Sequence, residues 1–158
     1  MNKYIPMLCL AAVLMAGCSS NTPQQIAESG ENSSPFPAVI EPHNPEQAED
    51  SGDVVVLLGE MRNRDTWKNF MKNVKRHQPD QVRVTTYTIE GGPIIHELIY
   101  DGRVIQTTYD NSRDMYGSSE VETTNTCKGI GTTKDKPWRA FYILTGCEKE
   151  NIFSIPSS

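Results

Sequence analysis

Residues 81–110 constrain the fold of this chain more than any other stretch. VRVTTYTI, EGGP, IIHELIY, the dipeptide Asp101-Gly102 and RVIQTTYD follow one another without interruption. β-branched and aromatic residues fill the runs, and Gly, Pro and Asp fill the gaps, which predicts three successive antiparallel strands joined by two turns. Asp101-Gly102 suits a two-residue loop in which both residues take positive φ. Such a loop would set Tyr100 against Arg103, Ile99 against Val104, Leu98 against Ile105 and Glu97 against Gln106. Gly91-Gly92-Pro93 supplies a looser first reversal, with a proline suited to the start of a strand.

The residues before the meander add one strand and one helix. Val54, Val55, Val56, Leu57 and Leu58 form a continuous apolar run, the pattern of a strand covered on both faces. Over residues 65–76, Trp67, Phe70, Met71 and Val74 recur at helical spacing, with Asn63 or Asp65 as cap and Pro79 as stop. Its flank and back carry Arg64, Lys68, Lys72, Lys75 and Arg76. These five cations are a candidate contact for anionic lipid headgroups or envelope polymers. The plainer reading is a solvated face whose last turn favours cations through the helix dipole.

The first 17 residues read as a targeting segment. Lys3 supplies a positive start, residues 5–15 an apolar stretch, and Met15-Ala16-Gly17 precede Cys18. This resembles a bacterial lipobox, in which the cysteine is diacylated and becomes the new N-terminus. The apolar run is shorter than the ~20 residues a spanning helix needs. Two or three acyl chains would tether the chain to a membrane, outside the cytoplasm. Residues 18–52 then read as the lipidated cysteine and a disordered tether. They are rich in Ser, Asn, Pro, Gln and Glu, and too poor in apolar residues to offset the entropy of ordering.

The acidity belongs to that tether. Of 20 Asp and Glu, seven lie within residues 19–53, which have no Lys or Arg. The other 13 face 14 Lys and Arg across residues 54–158, so the domain at 53–158 is almost neutral. With that balance and an exported location, nucleic acid is not an expected partner.

Of four cysteines, Cys9 leaves with the signal segment and Cys18 takes the lipid, so Cys127 and Cys147 remain. Two cysteines in an exported domain make one disulfide most simply. Closing a loop of about 20 residues would add about 3 kcal/mol. The bond restricts the last hairpin: its reversal must lie near Lys134-Asp135-Lys136-Pro137, with one strand over 125–133 and the next over 138–147. Ile152, Phe153 and Ile155 are placed to add a short closing strand.

Catalytic and metal motifs are sparse. His96-Glu97 superficially matches a zinc-protease motif, but Tyr100 stands where the second His belongs. His43 lies in the tether and His77 at a helix end, so no nucleophile acquires a base and an orienting acid from sequence spacing. No catalytic residue, metal site or cofactor is assigned.

The phrases DVV, FMKNV, RVTTYTIEGGPIIHELIYDG and TTYDNSRDMYG, with the late cysteines, resemble the small lipoproteins of Bacillus-type bacteria grouped as domain of unknown function DUF4362. The resemblance spans most of residues 53–150. It implies a lipid-anchored, extracytoplasmic domain of a Gram-positive cell and implies no activity.

The expected fold is α+β: one amphipathic helix packed on a largely antiparallel sheet of five to six strands, with one disulfide. The expected core is Val54, Val56, Leu58, Trp67, Phe70, Met71, Val74, Val84, Leu98, Ile105, Phe141 and Ile143. Two functions are compatible with the residues. One is a membrane-anchored, non-catalytic module binding a protein, peptide or envelope polymer. The alternative is an envelope enzyme or small-molecule binder, favoured if Glu90, Glu97, His96, Tyr87 and Tyr109 meet in one pocket. The disulfide has a direct test in intact mass of the exported domain after thiol alkylation. Two labels are expected only after reduction, and labels without reduction refute the bond.

Overall fold

The computed structural model describes residues 36–117 and 123–157; the signal segment and Cys18 lie outside the described residues. In chain order the elements are α1 (Pro45–Asp50), β1 (Val54–Leu57), β2 (Glu60–Arg62), α2 (Arg64–Lys75), β3 (Asp80–Tyr87), β4 (Pro93–Tyr100), β5 (Ile105–Asp110), β6 (Thr123–Cys127), β7 (Gly129–Lys136), β8 (Arg139–Thr145) and β9 (Ser154–Pro156). The strands form two sheets, one ordered β2-β1-β3-β4-β5-β6 and the other β7-β8-β9. This corrects the expectation of one sheet and one helix.

The meander is present as β3, β4 and β5, with Tyr87 opposite Pro93 across the first reversal. The second reversal differs from the sequence expectation. Tyr100 pairs with Ile105, Ile99 with Gln106 and Leu98 with Thr107, so four residues form the loop instead of two. The Asp101 carboxylate causes the widening, because Oδ1 accepts from the backbone N–H of Arg103 (2.7 Å) and Val104 (2.8 Å). Gly102 takes the positive φ of 98°. A shift of two residues preserves which face each side chain takes, so the core is undisturbed.

β1 lies between β2 and β3, antiparallel to the first and parallel to the second. The parallel step requires a crossover, which α2 provides. Trp67 and Phe70 are almost fully buried, and Met71 and Val74 pack on the same core. Asn63 stands at the start of α2 with φ 51° and caps nothing with its side chain; its amide donates instead to the carbonyls of Glu49 and Asp53. At the other end His77 takes φ 56°. The N–H of His77 then bonds to Val74 O and that of Gln78 to Asn73 O, a Schellman closure with histidine where glycine is usual.

The core lies between the six-stranded sheet and a cover made of α2 and the second sheet. Val54, Val56, Val82, Val84, Leu98, Tyr100, Ile105 and Cys127 meet Trp67, Phe70, Leu144, Phe153 and Ile155 there. The Trp67 ring centroid lies 5.5–5.8 Å from those of Phe70, Tyr142 and Phe153. Two expectations fail at this layer. Leu58 is 77% exposed, because it forms the β1–β2 turn at φ 50°. In β8, Tyr142 and Leu144 face the core in place of Phe141 and Ile143, since the second sheet packs by its other face.

Cys127 and Cys147 are disulfide-bonded. The bond sits where the chain leaves the first sheet for the second: Lys128 N donates to Thr145 O, and Glu148 N to Thr126 O. The β7–β8 reversal falls at Pro137-Trp138, with Lys136 opposite Arg139, close to the position the disulfide required. β9 is the expected closing strand.

The tether assignment needs the largest correction. Residues 36–52, read as disordered spacer, belong to the fold. Asn44 caps α1 through Oδ1, which accepts from Gln47 N at 2.9 Å, and Ala48 is fully buried against Val55 and Tyr87. Residues 36–44 form a strap over the face of the first sheet opposite α2.

Candidate functional site

Alternation along β3 sends Val82 and Val84 into the core and Arg83, Thr85 and Tyr87 to the opposite face. The pairing then builds a polar row. Asp53 precedes β1, Arg83 stands opposite Glu97, and Glu97 stands opposite Thr108. Arg83 is 6% exposed. Its Nε and Nη2 donate to Glu97 Oε1 at 3.0 and 2.7 Å, and Nη2 also donates to Pro37 O at 2.6 Å. Nη1 lies 3.9 Å from Asp53 Oδ1, and the guanidinium carbon lies 5.2 Å from the centre of the Phe36 ring.

Asp53 is buried, and Oδ2 accepts a 2.6 Å hydrogen bond from Thr85 Oγ1. Burial raises its pKa, opposed by the Thr85 bond and by Arg83. His43 approaches the same carboxylate, with Nε2 4.0 Å from Oδ2, too far for a hydrogen bond. The buried Nε2 has no partner among the described residues, and the ring stacks on Tyr87 at 6.2 Å. Burial lowers the His43 pKa and raises that of Tyr87, so both are neutral at neutral pH.

At one end of this face Arg113 Nε donates to Glu41 Oε1 at 2.6 Å, and its Nη1 to Asp110. Between strap and sheet lies a cavity of about 180 Å³, bounded by Phe36 to Val39 above and by Arg83, Ile95, Glu97, Thr108, Asp110 and Arg113.

His96 takes the opposite face from Glu97. Its ring lies 5.1 Å from both Tyr109 and Phe153. Nδ1, like Thr107 Oγ1, is buried and unpartnered among the described residues. Burial lowers its pKa to about 4. Both residues, with Tyr109, Asn125 and Lys149, line a second cavity of about 200 Å³. The five side chains offered as a possible pocket therefore do not converge. His96 and Tyr109 share one cavity, Glu97 lines another on the other face, Tyr87 lies under α1, and Glu90 is exposed on the β3–β4 turn.

The four basic residues of α2 and Arg76, which follows it, are all exposed. Arg64 Nε donates to Met61 O and Lys68 pairs with Asp65 at 3.0 Å, while Lys72, Lys75 and Arg76 have no ion-pair partner among the described residues. Lys75 borders an open apolar groove with Met71, Val74, Ile130 and Tyr142.

A third feature escaped the sequence reading altogether. Leu58, Ile89, Met115 and Tyr116 are 74–87% exposed, and all stand on loops at one end of the first sheet: β1–β2, β3–β4 and the loop after β5. Thr88 Oγ1 donates to Asp114 Oδ1 at 2.9 Å, and Gly92 lies so close to Asp114 that a Cβ there would sit 2.6 Å from its carboxylate. The loops bearing Ile89, Met115 and Tyr116 are therefore locked together. Their apolar residues looked unremarkable because Ile89 closes a run that reads as strand and Met115-Tyr116 is a single pair in an otherwise polar stretch.

By class, then, the molecule is a two-sheet α+β domain with a charged outer face beneath its own N-terminal strap. The chain belongs to the family described as domain of unknown function DUF4362, whose model matches residues 51–142. The matched segment holds Arg83, Glu97 and Arg113, and the strap precedes it. No curated protein and no solved structure matches this chain.

Two outcomes are expected from this geometry. Glu97→Ala leaves a buried guanidinium short of its main partner and should cost about 3–5 kcal/mol in urea unfolding, whereas the double variant Arg83→Met with Glu97→Leu should lie far closer to the natural stability. His96 is neutral in the fold down to about pH 4, while the unfolded chain protonates near pH 6.5. Stability should fall as pH drops from 6.5 to 4, by about 3 kcal/mol from this group. Melting curves of His96→Phe should show a flatter decline over that window.

Proposed function

We propose that the protein is a lipoprotein held on the outer face of a cell membrane through acyl chains on Cys18, and that its domain is a non-catalytic module binding a protein partner. The observation that carries the binding reading is the loop end of the first sheet. Four large apolar side chains are held in water there, and the loops bearing three of them, Ile89, Met115 and Tyr116, are tied to one another, at a standing cost in exposed apolar surface. Glu60, Glu90 and Asp114 lie around them, so the fitting partner presents an apolar surface rimmed by cations. That acidic rim disfavours direct insertion into an anionic lipid surface. The lipobox-like Met15-Ala16-Gly17-Cys18 supports the anchoring half of the reading.

Anionic polymer binding along α2 is the less favoured contact. Lys72, Lys75 and Arg76 are available for it, but the exposed end of a helix also favours cations without any partner.

Site-specific photocrosslinking of the full chain in cells tests both halves. A crosslinker at Ile89 or Tyr116 should give one discrete protein adduct that Met115→Asp abolishes, and a crosslinker at Lys72 should not give it. Cys18→Ala should move the chain from the membrane fraction to the soluble one. No loop-end adduct, or the same adduct from both places, refutes the binding reading.

A further inference from the structure

We propose that the outer face of the first sheet is a binding groove for an extended peptide, and that residues 36–43 occupy it as a built-in ligand. The peptide class has an aromatic-proline pair and a carboxylate five positions after the aromatic, as Phe36, Pro37 and Glu41 provide. This inference is independent of the loop-end reading.

The contacts that shape the groove are made by residues outside the strap. Arg83 is held by Glu97 and bordered by Asp53, and Thr85 holds Asp53 in turn. The guanidinium is thereby aimed outward with donors and a ring face to spare. Buried charge of this kind is costly where an apolar sheet face would serve, and α1 shows that such a face is available nearby, packing Ala48 on Val55 and Tyr87. The groove offers three separate contacts. Arg83 Nη2 takes a backbone carbonyl (Pro37 O), the Arg83 plane takes an aromatic ring (Phe36), and Arg113 Nε takes a carboxylate (Glu41).

The strap fills this groove loosely. Pro37, Ala38, Ile40, Glu41 and Pro42 are exposed, and the strap joins none of the sheet's described strand pairings. About 180 Å³ stays open beneath Phe36 to Val39, and His43 Nε2, 4.0 Å from Asp53 Oδ2, has no hydrogen-bond partner among the described residues. A firmly integrated segment would have closed that volume and satisfied that nitrogen. Among the described residues the strap is held by the Arg83 bond to Pro37 O, the Phe36 ring against Arg83, the Glu41–Arg113 pair and the seating of His43 on Tyr87, and a peptide in trans can take over the first three residue for residue.

The probe is a dye-labelled synthetic peptide with the sequence of residues 34–44, followed by fluorescence anisotropy against the soluble chain from Ser19 onward. A chain with Phe36→Ala and Glu41→Gln, whose strap is weakened, should bind at least about tenfold more tightly than the natural chain, because the groove is vacated. Adding Arg113→Gln to that chain should weaken binding about fivefold or more. Equal binding by natural and weakened-strap chains, or indifference to Arg113→Gln, overturns the proposal. A second measurement uses the unaltered protein, so that loss of folding in a variant cannot decide the matter. Excess peptide should shift the amide resonances of Thr108, Asp110 and Arg113 while leaving those of α2 in place. Absence of those shifts overturns the proposal as well.

Discussion

A guanidinium at the centre of a sheet, covered from solvent, has to be answered by charge, and much of this molecule's outer face is arranged as that answer. Arg83 lies between two valines that belong to the core, so strand alternation leaves it no choice of face. The β3–β4 register brings Glu97 directly opposite, and the parallel pairing of β1 with β3 brings Asp53 to its other side. Both pairings are needed: a slip of one residue would send Arg83 into the space filled by Trp67, Phe70 and Phe153. The ion pair and the hydrophobic core are therefore two statements of one register.

The disulfide plays a corresponding part at the far edge. β6 ends at Cys127 and the chain crosses to the second sheet within Lys128, a step that separates the six-stranded sheet from the three-stranded one. Bonding Cys127 to Cys147 ties the end of β6 to the chain just past β8 and carries Phe153 and Ile155 back over the core. The second sheet thereby becomes part of the lid on α2's side, and the first sheet is left with one face to pack and one face to present.

That division explains why the chemistry-bearing residues do not assemble into one centre. His96 and Glu97 are neighbours in sequence and lie on opposite faces. His96 is held neutral among aromatic rings, while Glu97 is committed to Arg83. What the fold offers instead is surface: a charged face under a loosely seated strap, and a loop end whose apolar side chains are fixed by the contacts among Thr88, Gly92 and Asp114.

Local information determined a good deal of this. The meander, the amphipathic stretch of α2, the pairing of Cys127 with Cys147 and the neighbourhood of the last reversal follow from residue type, spacing and loop geometry, because the partners involved are close along the chain. Tertiary structure alone decided the rest. The width of the Asp101 loop depended on which way one carboxylate turned. Leu58 was read as core from an apolar run that in fact ends in a turn, and the faces of β8 were exchanged because a short strand buried on one side can present either parity. The strap is the plainest case. Residues 36–44 hold Phe36, Val39 and Ile40, but with Pro37 and Pro42 among them they follow neither a strand nor a helix period, and what orders them is a charged row assembled from Asp53, just before β1, and from β3, β4 and β5, whose members lie apart along the chain and meet only once the sheet has formed.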